Sequence, residues 1–115
     1  MIWYIDKKFK IIRINEEACN FAQKAVDKLE GKLSYKIFPF QGNPGKDEDI
    51  KIMKTGAAKF GITRYFISKQ KGQRGLESVC WIRMDKIPYL DENGGIQGMI
   101  VFALNITQQK RAEEE

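Results

Sequence analysis

Residues 81–107 read WIRMDKIPYLDENGGIQGMIVFALNIT, and the QQKRAEEE of residues 108–115 follows directly. The runs 79–90 and 96–106 are rich in β-branched and aromatic residues. The Asn93-Gly94-Gly95 between them favours positive φ, so the stretch reads as a β-hairpin. The polar, charged tail ends the second strand and begins a helix. A hairpin that hands its last strand straight to a charged helix can pass a change in the sheet to whatever follows, and the rest of the chain is read around that junction.

The chain has 115 residues, of which 43% are hydrophobic. That suits one domain, burying roughly two-thirds of the surface its unfolded chain exposes. The net charge is +5 with 30% charged residues, basic but well short of a nucleic-acid arm. Most of the excess lies in residues 46–74, while the C-terminal part is acidic. Two cysteines, Cys19 and Cys80, in apolar surroundings point to a reducing cytoplasm, although they could pair if close. No apolar run approaches a transmembrane length, and the start lacks a signal peptide's basic region, so no membrane contact is expected from these residues. Opening in a strand and closing in a helix suggests a piece of a longer protein. There is no histidine, which excludes histidine metal sites, imidazole-based triads, histidine-ligated haem and a phosphoacceptor histidine within these residues.

From the N-terminus, residues 2–5 and 9–14 read as short strands around Asp6-Lys7-Lys8. Asn15 is a candidate N-cap, with Glu16 and Glu17 suiting the positive helix end. Ala18, Phe21, Ala22 and Ala25 recur at helical spacing, predicting about three turns. Gly31 suits a positive φ, a short helical turn at 35–38 leads into Pro39, and 41–46 is a loop. Asp47 can cap a helix over 48–54 that buries Ile50, Ile52 or Met53 and closes at Gly56. Residues 60–68 form a third strand, and 69–77 a long basic connection. The order predicts an α+β fold, a five-stranded antiparallel sheet with short helices on one face.

At this point the chain resembles the PAS domain family over nearly its whole length. The pieces that carry the likeness are YIDKKFKIIRIN, LEGK, the FP at residue 38, KTGAAKFG, WIRMDKIPYLDENGGIQG and NITQQKRAEEE, in that order. The resemblance implies a sensor domain over 1–107 and the start of an exit helix or linker over 108–115. Such a domain would bind a small molecule or partner between sheet and helices and relay it through Asn105, Ile106 and Thr107 to an output domain of the same chain, a histidine kinase first among the candidates. The family usually has aspartate where Asn105 stands; an amide keeps hydrogen bonds but loses the charge.

By the resemblance, Met99, Val101, Ala103 and Asn105 face the helices, and Ile100, Phe102, Leu104 and Ile106 face away. The outward face is too hydrophobic to stay wet, so the exit helix, a further N-terminal helix or a second copy should cover it, and a homodimer is expected. The same register turns Cys80, Ile82, Met84 and Lys86 inward, together with Ile5, Ile12 and Ile14. With Phe38 and Met53 these would line an apolar cavity suited to a small molecule. An inward Lys86 must be paired, neutral or near solvent, and an acidic ligand would satisfy it; alternatively it snorkels to the rim. The competing reading is a filled core that serves only dimerisation and protein contact.

Cys19-Asn20-Phe21 does not match the asparagine-cysteine-arginine motif of light-sensing flavin members, so the cofactor stays unknown. Arg64, Tyr65, Phe66, Lys69, Lys71 and Arg74 mix basic and aromatic residues. On a strand Arg64 and Phe66 lie on one face and Tyr65 on the other, so no stacking surface forms and nucleic acid is not expected as a partner. No catalytic constellation emerges, and the chain is not expected to be an enzyme.

Overall fold

The computed structural model describes residues 1–38, 40–42, 44–69 and 77–114. The chain runs β1 (Ile2–Asp6), β2 (Ile11–Ile14), α1 (Glu16–Ala22), α2 (Val26–Leu29), a 3-10 turn (Ser34–Lys36), α3 (Gly45–Thr55), β3 (Lys59–Lys69), β4 (Glu77–Leu90), β5 (Ile96–Asn105) and α4 (Thr107–Glu114). The strands form one antiparallel sheet in the order β2-β1-β5-β4-β3, with the two chain-end strands β1 and β5 side by side at its centre. The predicted α+β architecture is the observed one.

The hairpin of β4 and β5 forms as the sequence indicates. Asp91 holds its turn by accepting from the amides of Asn93 and Gly95, at 2.8 Å each, and Gly94 sits at φ +82. Asn15 caps α1 by accepting from the Ala18 amide at 3.1 Å. The helix is shorter than the apolar spacing predicts, because Gln23 adopts a left-handed φ of +58 and ends it; Ala25 instead opens α2. Helix α3 starts at Gly45, earlier than expected, with Pro44 at its N-cap position, so Asp47 contributes charge to the first turn rather than a side-chain cap. It closes at Gly56 in the left-handed region, as expected. Ile52 is its core residue, whereas Ile50 is exposed.

The core lies between the sheet and α1–α3. Ile5, Ile82, Met99 and Val101 have no exposed surface at all. Ile14 and Met84 join them, and Trp3, Phe38 and Phe66 extend the core toward the helices. Truncating any of the fully buried aliphatics to alanine would cost about 2–5 kcal/mol. The inward assignment on β2 is corrected. Ile12 is 50% exposed and Ile11 is buried in its place, because the pairing of β1 with β2 slips between Tyr4 and Ile5, setting Ile5 opposite Ile11 after Tyr4 opposite Arg13. A bulge shifts the alternation that a simple count assumes. The basic connection over 70–76, with Lys71 and Arg74, lies outside the described residues, as does Pro39. No helix among the described residues is long and apolar enough to cross a membrane.

Candidate functional site

Two places on β4 bind helices to the sheet. The first is Lys86, which is buried and does point inward. Its ammonium donates to Asp49 Oδ1 at 2.7 Å and lies 2.9 Å from Glu48 Oε1. Glu48 Oε2 also accepts from Lys59 at 2.7 Å and from Arg64 at 2.8 Å. Lys86 therefore neither snorkels nor waits for an acid from outside, since the first turns of α3 supply two. In the run Asp47-Glu48-Asp49, helical geometry turns residues 48 and 49 toward the sheet and leaves 47 exposed.

Burial acts against the Glu48 charge, but hydrogen bonds from Lys59 and Lys86 and the nearby positive charges outweigh it and hold this carboxyl below its ordinary value. Asp49 goes the other way. Burial pushes its carboxyl up more than Lys86 pulls it down, and the Glu48 charge pushes in the same direction as burial. The second oxygen of Asp49 is buried without a hydrogen-bond partner. These acids were missed in the sequence reading. Part of the signal was present: a buried lysine demands partners, and Asp47-Glu48-Asp49 was one of two acidic runs predicted at helix starts, beside Glu16-Glu17.

The remaining inward residues come together as expected. Ile5, Phe38, Ile82, Met84, Met99, Val101 and Ala103 are buried, and Met53 packs against them partly buried. Beside Lys86, a cleft bordered by Trp3, Ser34, Phe38, Met84 and Glu48 has a volume of about 20 Å3, the room of roughly one water. Trp3 Nε1 donates to Ser34 Oγ there at 2.8 Å. Cys19 and Cys80 are both free, and burial pushes both thiols up, which fits packed side chains. Among the described residues no group of histidine, cysteine and acidic side chains is gathered for a metal ion.

The second place is the exit. Asn105 Oδ1 accepts from the Thr107 amide at 3.0 Å and from the Thr107 hydroxyl, 2.6 Å away. That hydroxyl oxygen accepts from the Trp81 amide at 3.0 Å, while the Ile106 amide donates to the Trp81 carbonyl at 2.9 Å. The start of α4 is thus tied to β4 through Trp81. The Lys110 ammonium adds a cation–π contact, 5.2 Å from the Trp81 ring centroid. Ile106, expected to face outward, is buried, and Asn105, expected to face the helices, is exposed with its side chain turned to Thr107. The strand ends at Asn105 and the helix begins at Thr107, so strand alternation no longer governs residue 106. The other outward residues are where the register places them. Ile100 is half-buried, and Phe102 and Leu104 are 40% and 49% exposed.

An antiparallel sheet covered on one face by short helices, with its last strand bonded into an exit helix, is the architecture of a PAS-like α+β domain. The chain belongs to the PAS family: the family model described as the PAS fold matches residues 1–111. No protein of curated description matches it significantly in sequence. Among solved structures, it is similar to a PAS domain from Colwellia psychrerythraea, with 19% identity and a TM-score of 0.66 over 93% of this chain and 86% of that one. It is similar to VqmA of Vibrio cholerae in a complex with ligand and DNA, with 17% identity and a TM-score of 0.68. That match covers 92% of this chain and 46% of VqmA, which another structure describes as a dimer. It is also similar to the PAS domain of the histidine kinase ThkA, with 13% identity and a TM-score of 0.59 over 89% of this chain and 94% of that one. At these identities the likeness is one of fold.

Proposed function

We propose that this PAS domain senses at the α3–β4 clamp and relays the change through Asn105, Ile106 and Thr107 into α4 and an output domain beyond. The observation that carries this reading is the continuity of β4. Lys86 holds α3 and Trp81 holds α4 on the same strand, so a shift of β4 at one end bears on both. A histidine kinase is the preferred output, supported by the fold shared with the ThkA domain. The relay can be tested by amide hydrogen exchange on Asp49→Asn, which loosens the clamp. Faster exchange in the first turn of α4 is expected along with that in α3. Opening of α3 with α4 unchanged would sink the relay.

The input is either a small molecule among Ile5, Phe38, Met53, Ile82, Met84, Lys86, Met99, Val101 and Ala103, or a protein partner. Ile12 drops out of this set because it faces solvent. The cleft of about 20 Å3 beside Lys86 favours the second reading, a closed interior serving protein contact, because a larger ligand would have to lift α3 and part Lys86 from its acids. The same reading includes a homodimer through Ile100, Phe102 and Leu104, since an apolar face only partly covered by its own chain is stabilised by a second copy. Native mass spectrometry separates the two: a small mass released on denaturation supports a ligand, and a bare dimer supports the contact module. The proposal places no nucleic acid on Arg64 and Phe66, the first being paired with Glu48 and the second buried. A cytoplasmic setting is supported by the two free cysteines.

A further inference from the structure

A surface groove is lined by residues between Lys24 and Ile37. Helix α2 closes at Glu30, and Gly31 at φ +84 turns the chain, so that lysines from before and after it border one depression. The exposed Lys24, Lys28, Lys32 and Lys36 border it, and the half-buried Leu33 and Ile37 give its floor its apolar surface above the buried Leu29, around about 380 Å3. That volume lies within the range of small-molecule sites, roughly 300–1,000 Å3.

Among the described residues, none of the four ammonium groups is within ion-pair distance of a carboxylate. The acids of this segment, Asp27 and Glu30, do not line the groove. Four like charges around one depression repel each other, and an anion placed among them relieves that repulsion. The floor narrows the choice. It is wholly aliphatic, so a nucleobase would find no ring to stack on, and a bare inorganic anion would leave the floor in water. An aliphatic chain ending in a carboxylate answers both halves, covering the floor while its charge sits among the lysines.

We propose that this groove binds a single-chain aliphatic acid, with its carboxylate at Lys24, Lys28, Lys32 and Lys36 and its chain over Leu29, Leu33 and Ile37. The site is hung on the edge strand β2. The Ile11 amide donates to the Lys32 carbonyl at 2.9 Å and the Gly31 amide to the Ile11 carbonyl at 2.7 Å. An occupant therefore bears on the sheet from outside its helical face. No residue of the α3–β4 clamp lines this groove, so the two proposals stand or fall separately.

The test is an NMR titration of the protein with decanoate below its micelle-forming concentration. Acetate and 1-decanol serve as half-ligands, and phosphatidylglycerol vesicles as the membrane alternative. Saturable shifts in the amides of Leu29, Leu33 and Ile37 are expected, with the affinity for decanoate falling about tenfold in Lys28→Gln/Lys32→Gln and in each half-ligand. Both lysines are exposed, and unchanged β5 amide signals in the variant will show that it is folded. Equal affinity in the variant, shifts centred instead on Ile82 and Met99, or a response to vesicles alone would each overturn the proposal.

Discussion

Helices α3 and α4 are both fastened to β4, but by opposite chemistry. At Lys86 the bond to α3 is ionic and dry: one ammonium between two carboxylates, all three side chains almost wholly removed from solvent. At Trp81 the bond to α4 is neutral and shallow, a chain of hydrogen bonds through Thr107 to an exposed Asn105. Buried charges cannot separate without leaving one uncompensated. Exposed neutral hydrogen bonds exchange with water at small net cost. The first attachment is therefore the costlier of the two to open.

The largest test of that contrast is Lys86→Met. It strands Asp49 in the core and should cost about 3–5 kcal/mol in urea unfolding. Replacing the acid as well, in Lys86→Met/Asp49→Leu, should recover part of the loss. A cost below about 1 kcal/mol for the single variant, the scale of an exposed pair, would mean that the ammonium reaches water and that the two attachments do not differ in kind.

How far the contrast was legible in the sequence depends on the distance over which each contact acts. The exit junction is local, a strand, a turn residue and a helix start in succession, and residues 96–107 displayed it. The clamp joins residues 37 apart. An inward Lys86 was implied by the family resemblance together with strand alternation, but its partners were not, because nothing in a one-dimensional pattern says which helix lies over which strand. Ile12 failed for a related reason. Alternation predicts a face only while pairing is regular, and the β1–β2 slip at Tyr4 and Ile5 leaves no mark in composition. Ile106 marks the same limit at a boundary, where one periodicity gives way to another within a single residue.

A smaller effect sharpens the comparison within the clamp itself. Glu48 has its carboxyl held below the ordinary 4.5. The stability it contributes is present above that value and is lost as pH falls through the folded one. Asp49 has its carboxyl pushed above the ordinary 3.8, so its contribution is present below that value and is lost as pH rises through the folded one. Glu48→Gln should therefore cost about 2 kcal/mol at neutral pH and progressively less toward acid. The cost of Asp49→Asn should instead grow toward acid. Urea midpoints across the acid range would show the two difference curves sloping in opposite directions; parallel curves would mean that the acids share their load equally.

The smallest effect concerns the exit. Asn105 satisfies the Thr107 amide and hydroxyl without a charge, at the end of α4 where the helix dipole is positive. Asn105→Asp keeps the acceptor and adds a negative charge, which should stabilise the first turn of α4 by about 0.3–1 kcal/mol, toward the lower figure because the site is exposed and screened by salt. Thr107→Val, which removes the oxygen that accepts from Trp81, should act the other way by about 1 kcal/mol. Amide hydrogen exchange at Lys110, whose amide donates to the Ile106 carbonyl, reads both changes: slower in the first variant and faster in the second, with a smaller change of the same sign around Lys86, as reciprocal coupling through β4 requires. Exchange at Lys110 unchanged in both variants would mean that the bonds through Asn105 and Thr107 do not set the stability of the first turn of α4, and an effect around Lys86 as large as that at Lys110 would mean that the two attachments do not differ in stiffness.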